Sequence, residues 1–336
     1  MDFMKIAIVK LSALGDIIHA MFILQFIKKY NNKILIDWIV EESYKELLEL
    51  NPNINNVHVV KFKKAKKKKS LYLFLNEIKK VRKFGKYDLV IDMQGLIKSA
   101  LISHFIVSNV TLGFDKSSAR EGLASIFYNK TFTCSYEKNI IERNLKIINF
   151  ALGLDIKKEE VLKKLPFLYS SKKYSHGNLS SLKKNILLIP GASNESKRLP
   201  ASKFIKLATL IDANFIVIWG ESDEKILADE IKGSSQNIHV LEKLNLEQLT
   251  LLIKQVDLVI GPDTGPTHMS WALNIPSITL YGSTPGYRNS CSTNINKILE
   301  SDSTVNPFKI NNNDHSIKDL NVEEIVEIAN KLLLSK

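Results

Sequence analysis

The sequence predicts an α/β protein built from two doubly wound parallel sheets. Three observations carry that expectation. Short β-branched runs alternate with amphipathic segments for most of the length. The alternation runs twice, with a Ser- and Lys-rich stretch lacking any apolar period at 169–184 between the two series. The 336 residues, at about 150 per domain, suit two domains.

The elements follow in order. Residues 6–9 form a continuous apolar run, as a strand buried on both faces requires. Residues 16–28 carry Ile17, Ile18, Met21, Phe22, Leu24 and Ile27 at helical spacing. Strands are expected at 34–40, 57–60, 89–91 and 110–112, with helices at 71–84 and 97–107. The second series has strands at 186–189, 215–218, 238–241, 258–260 and 277–280. Helices at 203–211, 224–231, 246–255 and 267–273 alternate with them, and an amphipathic helix at 322–334 ends the chain. The expected domains are 1–168 and 185–319, joined by a linker at 169–184. The last segment, 320–336, is free to pack back on the first domain. In doubly wound sheets ligands bind outside the carboxyl ends of the strands, so two such halves are expected to face a cleft.

Composition narrows the class. Apolar residues are 45% and charged residues 24%, which fits a full core and excludes a disordered chain. No apolar run approaches the roughly 18–20 residues that span a bilayer. The opening MDFMKIAIVK is too short an apolar segment for a signal peptide. Cys134 and Cys291 make no C-x-x-C pair, so a reduced compartment, the cytoplasm, is expected. The formal charge is +12, and seven of the nine residues at 61–69 are lysine. Without them the excess falls to +5, so the chain is mildly basic with one strongly basic spot. Such a spot suits nucleic acid, an anionic membrane or a phosphorylated substrate. Following the strand at 57–60, it is expected at the carboxyl edge of the first sheet.

The chemistry-bearing residues sit just after strands. Asp16 opens the first helix, where it either caps or accepts a proton from a substrate hydroxyl. The segment 92–99 places Gln94 and Lys98 around Gly95, either as ligands of a polar molecule or as an ordinary helix start. The segment 261–268 is GPDTGPTH, a tight loop leading into a helix N-terminus, which suits a phosphate. Asp263 and Thr264 can bond ribose or phosphate oxygens there, beside Gly265 and His268. The loop after strand 186–189 carries Ser193, Asn194 and Lys197, which suit a diphosphate or merely make a polar loop. Glu221, past strand 215–218, could accept from a ribose hydroxyl. No H-E-x-x-H, Walker A, G-x-S-x-G or metal-ligand spacing occurs, so no metal and no cofactor are expected.

Four ordered segments, LSALGDIIHA, DMQGLIKSA, GFDKSSAREGLASIFYN and GPDTGPTHMSWAL, resemble those of the bacterial ADP-heptose:lipopolysaccharide heptosyltransferases. The third is most similar to the branch that adds the first heptose to Kdo on lipid A. The resemblance implies the GT-B fold, two Rossmann-like domains facing a cleft. It implies Asp16 as catalytic base, and Ser193, Asn194, Lys197, Glu221, Asp263, Thr264, Gly265 and His268 as the ADP-heptose site. It places Gln94, Lys98, Arg120, Lys63 and Lys64 among acceptor contacts. It also implies inversion at the anomeric carbon, a Kdo-lipid A acceptor, and a monomeric cytoplasmic enzyme peripheral on the anionic inner-membrane surface. Nucleic acid is not an expected partner.

Three alternatives remain at this level. A heptosyltransferase acting later in the core is the nearest rival. A basic nucleic-acid binder would use the lysine run, but only Phe62 interrupts it with an aromatic ring. A nicotinamide oxidoreductase would need a G-x-G-x-x-G turn, which is missing.

Overall fold

The computed structural model describes residues 4–171, 177–233 and 235–334, and the chain divides into two compact units between Phe167 and Leu168. The expected linker begins at the residue after Leu168, and its residues 172–176 lie outside the described residues.

The first unit holds six strands: β1 Lys5–Val9, β2 Leu35–Glu41, β3 Asn56–Val60, β4 Lys86–Asp92, β5 Val107–Phe114 and β6 Lys130–Phe132. Their order is β3-β2-β1-β4-β5-β6, and every neighbouring pair is parallel. Ile6 of β1 pairs with Ile36 on one side and Leu89 on the other. Helices cover both faces of such a sheet, so β1 has no solvent side, and Ile6, Ala7, Ile8 and Val9 are fully buried. Each buried aliphatic side chain contributes about 1.5–3 kcal/mol, which explains an unbroken apolar run where alternation would otherwise appear.

The second unit repeats the plan with β7 Asn185–Leu188, β8 Asn214–Val217, β9 Ile238–Val240, β10 Leu258–Pro262, β11 Ser277–Tyr281 and β12 Asn296–Glu300. The order is β12-β11-β10-β7-β8-β9, again all parallel. Counted within each unit, both sheets read third, second, first, fourth, fifth, sixth strand. Chain direction across the sheet therefore reverses between β1 and β4, and between β7 and β10. These are the switch points where a doubly wound sheet opens a crevice at its carboxyl edge.

Three details go beyond those expectations. The helix Val322–Leu334 buries Val322, Ile325, Ala329 and Leu332 in one cluster with Phe204, Leu207 and Ile211. Its apolar stripe is used inside the second unit. The strand expected at 110–112 extends over Val107–Phe114, because its first half alternates between exposed and half-buried and only its second half is continuously buried. The lysine run is partly helical, over Phe62–Lys67. Phe62 and Ala65, three residues apart, are both buried beneath that turn, and the Phe62 ring packs 5.0 Å from that of Phe74.

Candidate functional site

At the first switch point, the loops after β1 and β4 are laced together. The Lys10 ammonium donates to the Met93 carbonyl at 2.9 Å. The Gln94 side-chain oxygen accepts from the N–H groups of Leu11 (2.7 Å) and Ser12 (3.3 Å), and its amide nitrogen donates to the Ser12 carbonyl at 2.7 Å. Gln94 is thus committed to shaping the Asp16 loop, a role its sequence position alone did not suggest. Lys98 donates to the Ser12 hydroxyl at 3.2 Å, so it joins the same cluster. Beneath them Asp92 is fully buried and accepts from Gln94 N–H (2.8 Å), Gly95 N–H (3.2 Å) and the Tyr128 hydroxyl (2.8 Å). Burial pushes its carboxyl above the ordinary carboxylate range despite those bonds. Gly95 has φ +70°, a left-handed conformation that side chains other than glycine's adopt at a cost.

Asp16 lies in the first turn of the helix Leu14–Met21, half-buried. Its Oδ2 accepts from the Ala13 N–H at 3.2 Å, its only hydrogen bond among the described residues. The carboxylate therefore caps loosely and keeps lone pairs for another proton donor. Two neighbouring segments reach the same edge. Glu121 ties the 115–121 loop to the Gly95 turn, its N–H donating to the Gly95 carbonyl at 3.2 Å and its carboxylate accepting from Ile97 N–H at 2.7 Å. That loop carries Arg120, which is exposed. Glu41, the last residue of β2, is buried and accepts from the Lys63 N–H at 2.9 Å. Burial raises its pKa, while the charges of Lys63 and Lys98 oppose the rise. The Lys63 ammonium donates to the Tyr44 hydroxyl at 3.0 Å and stands 4.4 Å over that ring. Lys64 is exposed. The edge thus collects one open carboxylate and several cations, with Glu41 and Asp92 as buried supports that strand-end pattern alone could have flagged.

At the second switch point the arrangement is a charged hub. Asp263, directly after β10, is 8% exposed. Its Oδ2 meets the Lys197 ammonium at 2.8 Å, the Thr284 hydroxyl at 2.9 Å and the Asn289 amide at 3.3 Å, and its Oδ1 meets His268 Nε2 at 2.9 Å. Burial opposes ionisation of Asp263, but Lys197 and His268 outweigh it and hold its carboxyl well below the usual carboxylate range. Thr264 is the N-cap of the helix Gly265–Leu273, and its own side chain makes no capping bond. Pro266 sits in its first turn, where its missing N–H costs nothing.

The loop after β7 is held rigidly beside this hub. Arg198 donates to the Ala192 carbonyl at 3.0 Å and pairs with Asp223 at 2.7 Å, so it braces the loop. The Ser196 and Ser283 hydroxyls meet at 3.2 Å. Ser193 is exposed and Asn194 half-buried, both at the surface of that loop. Gly191 leaves room for Glu224, since a Cβ there would lie 2.3 Å from the Glu224 carboxyl carbon. Glu224 in turn accepts from Gly220 N–H at 2.7 Å and Glu221 N–H at 3.2 Å. Glu221 is exposed past the end of β8, 4.0 Å from Lys243. Thr284 and Asn289 were missed by sequence reasoning, because their partner Asp263 lies 21 and 26 residues away in the chain.

The arrangement gives the second unit a positioned cation beside a helix N-terminus, a natural anion site. Among the described residues no group of three or more His, Cys, Asp or Glu could hold a metal ion. No helix among them is long and apolar enough to cross a membrane.

Comparison with known proteins agrees with this geometry. The model of glycosyltransferase family 9 (heptosyltransferase) matches residues 76–313. The lipopolysaccharide heptosyltransferase 1 of Campylobacter coli is 39% identical over 348 residues, covering 98% of this chain and 99% of its own. That of Escherichia coli K12 is 29% identical, covering 84% and 89%. Among solved structures, E. coli heptosyltransferase WaaC with ADP aligns at TM-score 0.80 and 22% identity, over 98% of this chain and all of its own. A family 9 glycosyltransferase from Veillonella parvula aligns at TM-score 0.84 and 19% identity, over 100% and 99%. With these matches the two doubly wound units are the GT-B fold, and the chain belongs to glycosyltransferase family 9, the heptosyltransferases.

Proposed function

We propose that this glycosyltransferase moves L-glycero-D-manno-heptose from ADP-heptose to a hydroxyl of Kdo-lipid A, as a lipopolysaccharide heptosyltransferase I working at the cytoplasmic face of the inner membrane. The observation that carries the reading is the hub at the second switch point, where Asp263 holds Lys197 2.8 Å away beside a helix N-terminus. That is a site for a diphosphate whose charge is met by a fixed ammonium and backbone N–H groups. The name of the Campylobacter coli relative supports the acceptor class, and a WaaC structure holding ADP-2-deoxy-2-fluoro heptose supports the donor.

In the proposed reaction the Kdo hydroxyl attacks the heptose anomeric carbon from the face opposite the diphosphate. A new C–O bond forms, the C–O bond to the β-phosphate breaks, and ADP leaves with the electron pair. Asp16 takes the hydroxyl proton, using the lone pairs that its single bond from Ala13 leaves open. Lys197, the hydroxyls of Ser193 and Thr264, and the N–H groups at the start of the helix Gly265–Leu273 stabilise the charge gathering on the diphosphate. Glu221 receives a ribose hydroxyl. Lys98, Arg120, Lys63 and Lys64 meet the anionic acceptor, and Gln94 holds the Ser12 end of the loop that delivers Asp16. No resident metal enters this scheme.

Mass spectrometry of Kdo-lipid A incubated with ADP-heptose tests it. A gain of one heptose is expected. Gain only on an acceptor that already carries a first heptose would move the enzyme later in the core. No gain on either, with folded protein, overturns the assignment.

A further inference from the structure

We propose that the two helices Phe62–Lys67 and Leu71–Val81 form a docking element for an anionic lipid bilayer, with Leu71, Tyr72 and Leu75 entering the headgroup–acyl boundary between lysines that bind lipid phosphates. The proposal rests on the lipid-linked acceptor argued above and names the surface that brings the enzyme to it.

The inner side of this pair is already filled. Phe62, Ile78 and Val81 belong to the core cluster of the first sheet, with Phe74 packed against it, and Ala65 is buried as well. Leu71, Tyr72 and Leu75 take no part in that packing and are 71%, 71% and 48% exposed. Leu71 and Leu75, at i and i+4, are neighbours on the helix surface and Tyr72 stands about 100° around from Leu71, so the three share one broad apolar side.

The turn between the helices puts lysines beside that patch. Lys69 has φ +46°, a left-handed reversal, and Ser70 N–H donates back to the Ala65 carbonyl at 3.1 Å. The Ser70 hydroxyl then caps the second helix by accepting from Leu73 N–H at 3.3 Å. Lys67, Lys68 and Lys69 therefore end directly against the first turn of the helix that carries the patch. Lys61 pairs with Glu42 at 2.5 Å. Among the described residues, Lys64, Lys67, Lys68 and Lys69 form no ion pair. Lys79, one helical turn beyond Leu75, is exposed as well.

Exposed aliphatic side chains flanked by unpaired lysines are what interfacial helices present to a membrane. A single-stranded nucleic acid would want several stacking rings, and this patch offers one, Tyr72, between two aliphatic side chains. The placement agrees. The first helix starts two residues after β3 ends at Val60, at the same sheet edge as Asp16. Docking there holds the acceptor-binding edge near the bilayer surface.

The full chain can be sedimented with vesicles of phosphatidylcholine, with and without phosphatidylglycerol. Each lysine at an anionic surface is worth about fivefold in binding, so the triple variant Lys67→Gln, Lys68→Gln, Lys69→Gln should lose on the order of a hundredfold for anionic vesicles. The variant Leu71→Ser, Tyr72→Ser, Leu75→Ser should lose about tenfold or more while keeping the salt dependence. Both should unfold cooperatively like the wild type and glycosylate a detergent-dispersed acceptor at its rate. Equal binding of the wild type to neutral and anionic vesicles overturns the proposal. So does wild-type partition by either variant, or tighter binding to an RNA oligomer than to anionic vesicles. Vesicle binding with no transfer to any acceptor leaves the docking element standing and removes the proposed reaction.

Discussion

Asp16 and Asp263 are the same residue type, each placed at the switch point of a sheet with the same strand order, and their surroundings are opposite. Asp16 is half-buried and holds one N–H at 3.2 Å. Asp263 is buried and saturated by Lys197, His268, Thr284 and Asn289. The loops around Asp16 are laced by the neutral amide of Gln94 together with the ammonium groups of Lys10 and Lys98. The loop facing Asp263 is braced by Arg198 and presents Lys197. Identical topology thus supports two uses of a carboxylate. One keeps a single bond from a backbone N–H, and the other is closed around a cation.

The contrast can be broken at either end. Asp16→Ala should lower turnover about 10²–10⁴-fold, the range of general-base help. It should leave ADP-heptose binding intact and change stability by less than about 1 kcal/mol, since only one cap bond is lost. Single-turnover kinetics beside calorimetric donor binding checks this. Asp263→Asn should behave the other way. It strands the Lys197 charge in a buried position and should cost about 3–5 kcal/mol in denaturant unfolding, with donor affinity falling too. If Asp263→Asn unfolds like the wild type, the hub is not holding Lys197.

Smaller changes sharpen the comparison. Thr284→Val removes one charge-assisted bond to Asp263 and should cost about 1.5–3 kcal/mol in stability. Gln94→Ala should cost about 1–2 kcal/mol and should lower kcat more than donor affinity, because it loosens the loop that carries Asp16. The smallest effect is a pH dependence. Asp263 has its folded pKa depressed, and so does Asp37, whose burial is outweighed by bonds from His58, Tyr87, Asn56 and Lys5. Stability from a depressed carboxylate is present above its unfolded value of about 4 and is lost as pH falls from there toward the folded value. Unfolding measured from pH 6 to pH 3 should show the loss only below about pH 4, and Asp37→Asn should flatten it.

Strand cores and the loops that follow them were legible because burial on both faces demands continuous apolar runs, and Gly, Pro, Asp and Thr crowd where a chain turns toward a ligand. The last strand of each unit was not. β6 has three residues, none of them buried, and β12 is only partly buried, so neither shows the apolar signature of a central strand. The helix inside the lysine run rests on Phe62 and Ala65, too few positions to show a period. Within the site, Thr284 and Asn289 lie 21 and 26 residues from Asp263 and meet it only through the fold. Gln94 was read as a ligand because local pattern cannot tell a side chain facing outward from one bonded to a neighbouring loop.

The Lys197–Asp263 ion pair also bears on ionic strength. A charge already compensated 2.8 Å away projects little field into solvent. The diphosphate therefore meets a short-range, pre-oriented donor, and its capture should depend only weakly on salt. The lysines at 67–69 carry no such partner among the described residues, and their attraction should fade steeply as salt is added. Under the proposed reaction, salt concentration should therefore separate the two substrates physically, tuning access to a surface-bound lipid while leaving recognition of the nucleotide sugar nearly untouched.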